Sequence, residues 1–256
     1  MKIVVFVKQV PDSAAKVTAE NGQAAWGDAP MVINPWDEYA VEAALQQKEA
    51  HGGTVTAISI GSENAKEALK HALAMGADDA ILVSDPALKN LDTQAIARLL
   101  AAIVQKVGGV DMAFFGRQAI DGDSGLTPAQ TARLLGWPAL TLAASIKLEG
   151  STVTVERSFE EGRQIVRANL PAVFSLVKDF GEPRYPSFMG IRKASKAEIP
   201  TWTLNDLGIA APTPAVSWPT LSNPPSREVK CEFITGSSAQ EIAEKLADKL
   251  IAEKVL

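Results

Sequence analysis

The first half of this sequence predicts an α/β fold: an open, mostly parallel sheet with helices on both faces. Three observations carry that expectation. Apolar runs at Ile3–Val7, Thr54–Ile60, Ala80–Val83 and Met112–Phe115 have the length and composition of strands buried on both sides. Helical patterns separate them, with Ala40, Ala43, Ala44 and Leu45 recurring at the helix period, then Ala65, Leu69, Ala72 and Leu73. The joins are short, so right-handed crossovers would place the strands side by side.

Composition sets the outer bounds. The chain has 256 residues, 46% hydrophobic and 21% charged, enough for one large core and a small extension. A net charge of -5 argues against a duplex nucleic acid as partner. The single cysteine, Cys231, allows no internal disulfide and suits a reducing compartment. No apolar segment has signal or membrane length, so a cytoplasmic protein without direct membrane insertion is expected.

In chain order, Pro11 should end regular pairing after the first strand, and Asn21-Gly22 suggests a hairpin turn. Asn34 is placed to cap a helix with Pro35 in its first turn, and His51-Gly52-Gly53 closes that helix. Ser62–Ala74 and Thr93–Val107 are the next helices. After Met112–Phe115 comes a polar turn, Gly116–Thr127, and a helix with Ala129, Ala132, Leu134 and Leu135 on or near one side. The period then changes to two: Ala144–Leu148, Thr152–Arg157 and Gly162–Leu170 read as an antiparallel extension, and Ala172–Val177 as another buried strand. Pro183–Ala197 has no clean period and is rich in basic residues; Ile199–Gly208 reads as a mixed link. Ala210–Arg227 is proline-rich and should cross the surface extended, with a short edge strand expected at Glu232–Ile234. Ser238–Glu253 is an amphipathic helix with Ile242, Leu246, Leu250 and Ile251 on one face. It packs either on a partner or back on its own chain. The expected division is a nucleotide-binding domain over 1–197 and a C-terminal arm over 198–256.

The chemistry points to the polar turn. Ligands sit at strand ends in open α/β sheets, and a helix N-terminus offers unpaired N–H groups to phosphate. Gly116, Gly122 and Gly125 let backbone approach a ligand closely; consecutive amides there can form an anion nest. Ser124 and Thr127 offer hydroxyls, and Gln118 can reach base or backbone. Asp121 and Asp123 suit a phosphate site only if they bind ribose, adenine or backbone groups or orient the turn; Asp123 also fits a helix cap. The competing reading is an ordinary turn. Phe6, Asn34 and Ile60 end three segments that should converge beside this turn, Asn34 offering an amide that can read adenine or ribose. No GxxxxGK[ST] or GxGxxG motif supports triphosphate turnover. His51 and His71 form no metal-ligand cluster, Cys231 has no neighbouring base, and Ser124 lies in no GxSxG elbow, so no catalytic residue is assigned.

Six stretches together carry a family resemblance: VKQVPD at Val7–Asp12, NPWDEYAVEAAL at Asn34–Leu45, ALAMGADDA at Ala72–Ala80, GRQAIDGD at Gly116–Asp123, VERSFEEG at Val155–Gly162 and EPRYPSFMGIRKA at Glu182–Ala194. In this order the chain resembles the beta subunit of electron transfer flavoprotein, the FixA family. The resemblance implies a Rossmann-like fold of the adenine nucleotide alpha hydrolase type and a heterodimer with an alpha subunit that holds most of the FAD site. Electrons would pass from acyl-CoA or related dehydrogenases to a quinone reductase or other acceptor. It implies AMP in this subunit, at Gly116–Thr127 (Leu126 included) with Phe6, Asn34 and Ile60. Trp36 would lie near the partner's flavin; the family's other aromatic contact falls near Ser13, which departs from the pattern.

Arg184–Lys196 resembles the loop that docks on dehydrogenases. Phe188 stands at its apolar anchor, with Tyr185, Met189 and Ile191, and with Arg184, Arg192 and Lys193 around it. A second branch of the family bifurcates electrons, holding another FAD in place of AMP and oxidising NADH. GRQAIDGD and Lys196–Pro200 resemble that branch too, but its loop usually runs on as Asp-Thr-Ala-Gln, where this chain has Asp123-Ser124-Gly125-Leu126. A non-redox adenine-nucleotide sensor is the rival of another class.

Overall fold

A computed structural model describes residues 1–217, 220–225 and 231–255. The elements run β1 (Lys2–Phe6), β2 (Gln9–Pro11), β3 (Thr18–Glu20), β4 (Gln23–Ala25), β5 (Met31–Ile33), α1 (Pro35–His51), β6 (Thr54–Ile60), α2 (Lys66–Met75), β7 (Asp79–Val83), α3 (Thr93–Val107), β8 (Met112–Gly116) and α4 (Thr127–Leu135). Then follow β9 (Ala139–Glu149), β10 (Thr152–Phe159), β11 (Gly162–Asn169), β12 (Ala172–Leu176), α5 (Phe188–Ala194), β13 (Thr201–Trp202), α6 (Leu204–Leu207) and α7 (Ala239–Ala252).

Nine strands form one sheet in the order β11-β10-β9-β12-β8-β1-β6-β7-β13. From β9 across to β13 all neighbours pair in parallel; β9, β10 and β11 form the antiparallel extension. Strand β1 shows why both faces are covered. Ile3, Val5 and Val7 enter one core with residues of α1 and α2; Val4 and Phe6 enter the other with Leu99, Ile103 and Ala132 of α3 and α4. Each of these β1 side chains is at most 6% exposed, which is why the run carries no polar alternation. The chain moves outward from β1 through β6 to β7, then returns so that β8 lies on the other side of β1. The order reverses there, between β1 and β8, where such folds open a crevice.

Several local expectations are corrected. Pro11 does not end pairing: it belongs to β2, which pairs with β5 in a separate two-stranded ribbon, and such short, two-stranded pieces tolerate proline. The Asn21-Gly22 hairpin is present, both residues with positive φ. In α4 the inward face is Pro128, Thr131 and Ala132 with Leu135 partly buried, while Ala129 and Leu134 face out. Pro183–Ala197 contains a helix, α5, capped by the Ser187 hydroxyl, which accepts from the Gly190 N–H. Ile199–Gly208 is no mere link: β13 extends the sheet beside β7, and α6 starts with a Thr203–Asp206 capping box. Consequently the first compact unit runs from Met1 to Leu221, rather than to residue 197, and the second from Ser222 to Leu256.

No strand forms at Glu232–Ile234. Residues 211–217 and 220–225 have no regular structure; the remainder of the proline-rich stretch, 218–219 and 226–227, lies outside the described residues. In the second unit α7 forms with Ser238 as its cap, and none of its residues is buried. Among the described residues no helix is long and apolar enough to cross a membrane.

Candidate functional site: a crevice at the strand ends

The ends of β1, β6 and β8 bring Phe6, Ile58, Ile60, Phe115 and Gly116 to the floor of a cavity of about 570 Å³. Phe6 and Phe115 stack there with ring centroids 4.7 Å apart. One wall is the start of α3, through Asp92, Thr93, Ile96 and Leu100; the other is the β8–α4 turn, from Gln118 to Pro128. The floor is largely apolar, the α3 wall sets Ile96 and Leu100 beside Asp92 and Thr93, and the turn is polar, a combination that suits a nucleoside with a charged tail. Volume and lining fall within the ordinary range for small-molecule sites.

The turn is held by local bonds that also explain its carboxylates. The Ala119 carbonyl accepts from the N–H groups of Gly122 (3.2 Å) and Asp123 (2.8 Å), and Asp123 and Gly125 take positive φ. Asp123 does not cap α4, whose N-cap is Leu126; its carboxylate accepts from the Gln118 side-chain amide instead. Asp121 lies outside the cavity lining and pairs with Lys8 at 2.7 Å. Both carboxylates therefore orient the turn. The amides of Gly122 and Asp123 are used up within it, which leaves the nest expected over Gly116–Thr127 narrower. Among the described residues, the N–H groups of Ser124, Gly125 and Leu126 remain without a partner. With the hydroxyls of Ser124 and Thr127 they form the polar end of the lining.

Asn34 corrects a second expectation. It sits before Pro35 as the cap position, yet makes no side-chain capping bond. Its Nδ2 donates to the Gln118 carbonyl (2.9 Å) and its Oδ1 accepts from the Ile120 N–H (3.2 Å). Buried and committed at both ends, it holds the turn and does not line the crevice. Asp37 completes the brace: its Oδ2 accepts from the Lys8 N–H at 2.7 Å, joining the exits of β1 and β8 to the start of α1. Burial pushes its carboxyl up to about 7, against the opposing hydrogen bonds from Asn34, Lys8 and Gly116. A Cβ on Gly116 would lie 2.4 Å from Asp37 Oδ1, so this position admits only glycine.

Lys8, Asp37, Asp92, Thr93, Ile96 and Val216 are lining residues that the sequence reading did not assign. Asp37 stands inside NPWDEYAVEAAL, and Asp92 before a helical run is a legible cap signal. Val216 had no signal. Trp36 is half-buried and outside the crevice; the Arg117 guanidinium lies 5.5 Å from its ring centroid, and Tyr39 packs at 6.2 Å.

Comparison with known proteins then decides the family. The model of the electron transfer flavoprotein domain matches residues 26–207, from the hairpin to the end of α6. The beta subunit of the electron transfer flavoprotein of Megasphaera elsdenii is 37% identical over 272 residues, covering all of both chains. The chain belongs to the electron transfer flavoprotein beta-subunit family. The FixA protein of Azorhizobium caulinodans is 36% identical over 217 residues, 82% of this chain and 77% of its own. Subunit CarD of the caffeyl-CoA reductase-Etf complex of Acetobacterium woodii is 36% identical over the full length of both.

The segment that resembles this family's docking loop lies away from the crevice. Phe188 is 80% exposed and Tyr185 93%; Met189, Ile191, Arg192 and Lys193 are exposed beside them. Arg184 is the exception. Its guanidinium is bonded to Glu42 (2.7 Å from Nε) and to Glu49 (2.5 Å), and its N–H donates to Glu42 as well. Burial pushes the Glu42 carboxyl up, but the Arg184 and Gln46 hydrogen bonds together hold it below the usual range. Arg184 thus anchors the segment to α1.

Proposed function

We propose that this chain is the nucleotide-holding subunit of a heterodimeric electron carrier, with AMP in the crevice between β1 and β8. The observation that carries the reading is the position of that crevice at the reversal of strand order, with an apolar floor and a braced glycine turn beside it. Ile58, Ile60, Ile96 and Leu100 supply a slot for a flat base. The unpaired N–H groups at 124–126 and the start of α4 suit a phosphate. The nucleotide's part is structural: it fills the crevice and stabilises the folded form by binding it alone.

In this reading an alpha subunit holds most of the FAD site, and that flavin supplies the redox chemistry. Trp36 stands near it, and the exposed Phe188 face meets an acyl-CoA or related dehydrogenase. Exposed apolar side chains beside Arg192 and Lys193 fit a hot spot with electrostatic steering. A quinone reductase or another acceptor takes the electrons onward. A cytoplasmic location agrees with the single, exposed and unpaired Cys231.

A second reading, a bifurcating subunit with FAD in the crevice and NADH as reductant, draws on the full-length similarity to a component of a caffeyl-CoA reductase complex. Mass analysis of ligand released from the purified complex separates the two. One FAD per heterodimer with one AMP is the expected result. Two FAD and no AMP support the second reading, and nucleotide binding without any flavin-bearing partner supports a non-redox sensor.

A further inference from the structure

Beyond the start of α3 and the β8–α4 turn, the crevice is lined by one residue of a later irregular segment. Val216, in the irregular segment 211–217, lines it while remaining 60% exposed. Ahead of the segment the Ile209 N–H bonds to the Leu204 carbonyl, and the Leu221 N–H bonds to the Gly22 carbonyl at 2.9 Å. The backbone of 211–217 is gripped by the Asp92 side chain. Asp92 Oδ2 accepts from the N–H groups of Ala215 (2.8 Å) and Val216 (2.9 Å), while its Oδ1 accepts from Ala95 and caps α3. The bonds from Ala95, Val216 and Ala215 hold this carboxyl below its usual range, so it stays ionised through neutral pH.

We propose that Asp92 is a positioning residue that latches residues 211–217 across the crevice as a movable wall, so that ligand binding and seating of this strap favour one another. The inference rests on the nucleotide reading of the crevice. A carboxylate with both oxygens engaged holds the strap only while both amides face it. If the strap lifts, Val216 leaves the lining and a bound base loses cover from solvent. By reciprocity, a ligand that prefers the seated strap must tighten the latch as much as the latch tightens the ligand.

Asp92→Asn tests this cleanly. The asparagine Oδ1 still caps α3, since Asn and Asp are comparable caps. Its Nδ2 turns a donor toward two donors and releases the strap. With the full-length chain freed of bound nucleotide, hydrogen exchange at the Ala215 and Val216 amides and the affinity for AMP are measured together. In the wild type, AMP should slow exchange at both amides. In Asp92→Asn exchange should be fast, and AMP affinity should fall about threefold to tenfold as open states compete with the competent one. The ligand-free melting temperature should hold.

Should the cap itself fail and the melting temperature drop, Ala215→Pro removes one strap donor without touching α3, and the same loss of affinity is expected. Wild-type affinity in either folded variant, or AMP binding that leaves the two amides unaffected, overturns the latch and leaves the site standing. A wild-type chain that binds neither AMP nor FAD overturns the site and the latch together.

Discussion

Asn34 and Asp37 show what single residues do for the crevice. Their partners at the turn lie about eighty residues ahead, so no local pattern assigns them. Asn34 reads as a cap by every nearby rule, yet its amide bridges to Gln118 and Ile120. Asp37 carries a measurable consequence. Its carboxyl rises from 3.8 to about 7 in the folded chain. Between those values the folded state holds a proton that the unfolded state has released, so this group's contribution to stability declines as pH rises through the window. It is complete below about 4 and lost above about 7. Relative to Asp37→Asn, the wild type should lose at most about 4 kcal/mol across that window and then run parallel to it, as read from urea titrations at successive pH values.

At the scale of elements, the parallel strands and their helices were legible because burial on both faces writes continuous apolar runs, and the glycine–aspartate turn announced the crevice. Helix α5 was not legible. It has seven residues, a glycine inside, and prolines ahead of it, and its reason to exist is tertiary. A Cβ on Gly190 would fall 2.3 Å from the Ala74 carbonyl oxygen at the end of α2, so the absent side chain lets the helix seat there. The two-residue β13 was equally invisible, since its only definition is its pairing with β7. Seating and docking separate in a pair of variants. Gly190→Ala should destabilise the fold by about 1–3 kcal/mol, the usual cost of overpacking. Phe188→Ala, on the open side of the same helix, should leave stability and flavin content unchanged and weaken transfer from a limiting dehydrogenase by at least about 1 kcal/mol. Equal melting temperatures for the two variants would contradict this division.

At the scale of the whole molecule, the chain divides after Leu221, and the two units differ in kind. The first contains both apolar cores. In the second, α7 has a clear apolar stripe and no buried residue, with Ile251 62% exposed. Periodicity announced the helix but left its destination open. A chain ending at Leu221 should therefore unfold cooperatively, within about 2 °C of the intact protein, because α7 contributes no buried residue. It should fail to co-purify with the flavin-bearing subunit that the intact chain retains. Co-purification at full yield would place the clasp in the first unit.

Under the proposed docking, the clamp of Arg184 on Glu42 and Glu49 bears on how quickly a dehydrogenase comes and goes. The foot of the docking segment is already planted on α1, so association has only a few exposed side chains to freeze. Substitutions of the apolar tip residues, Tyr185, Phe188, Met189 and Ile191, should then change the residence time of the encounter and barely change its frequency. That suits a carrier that must leave each donor to reach the next acceptor.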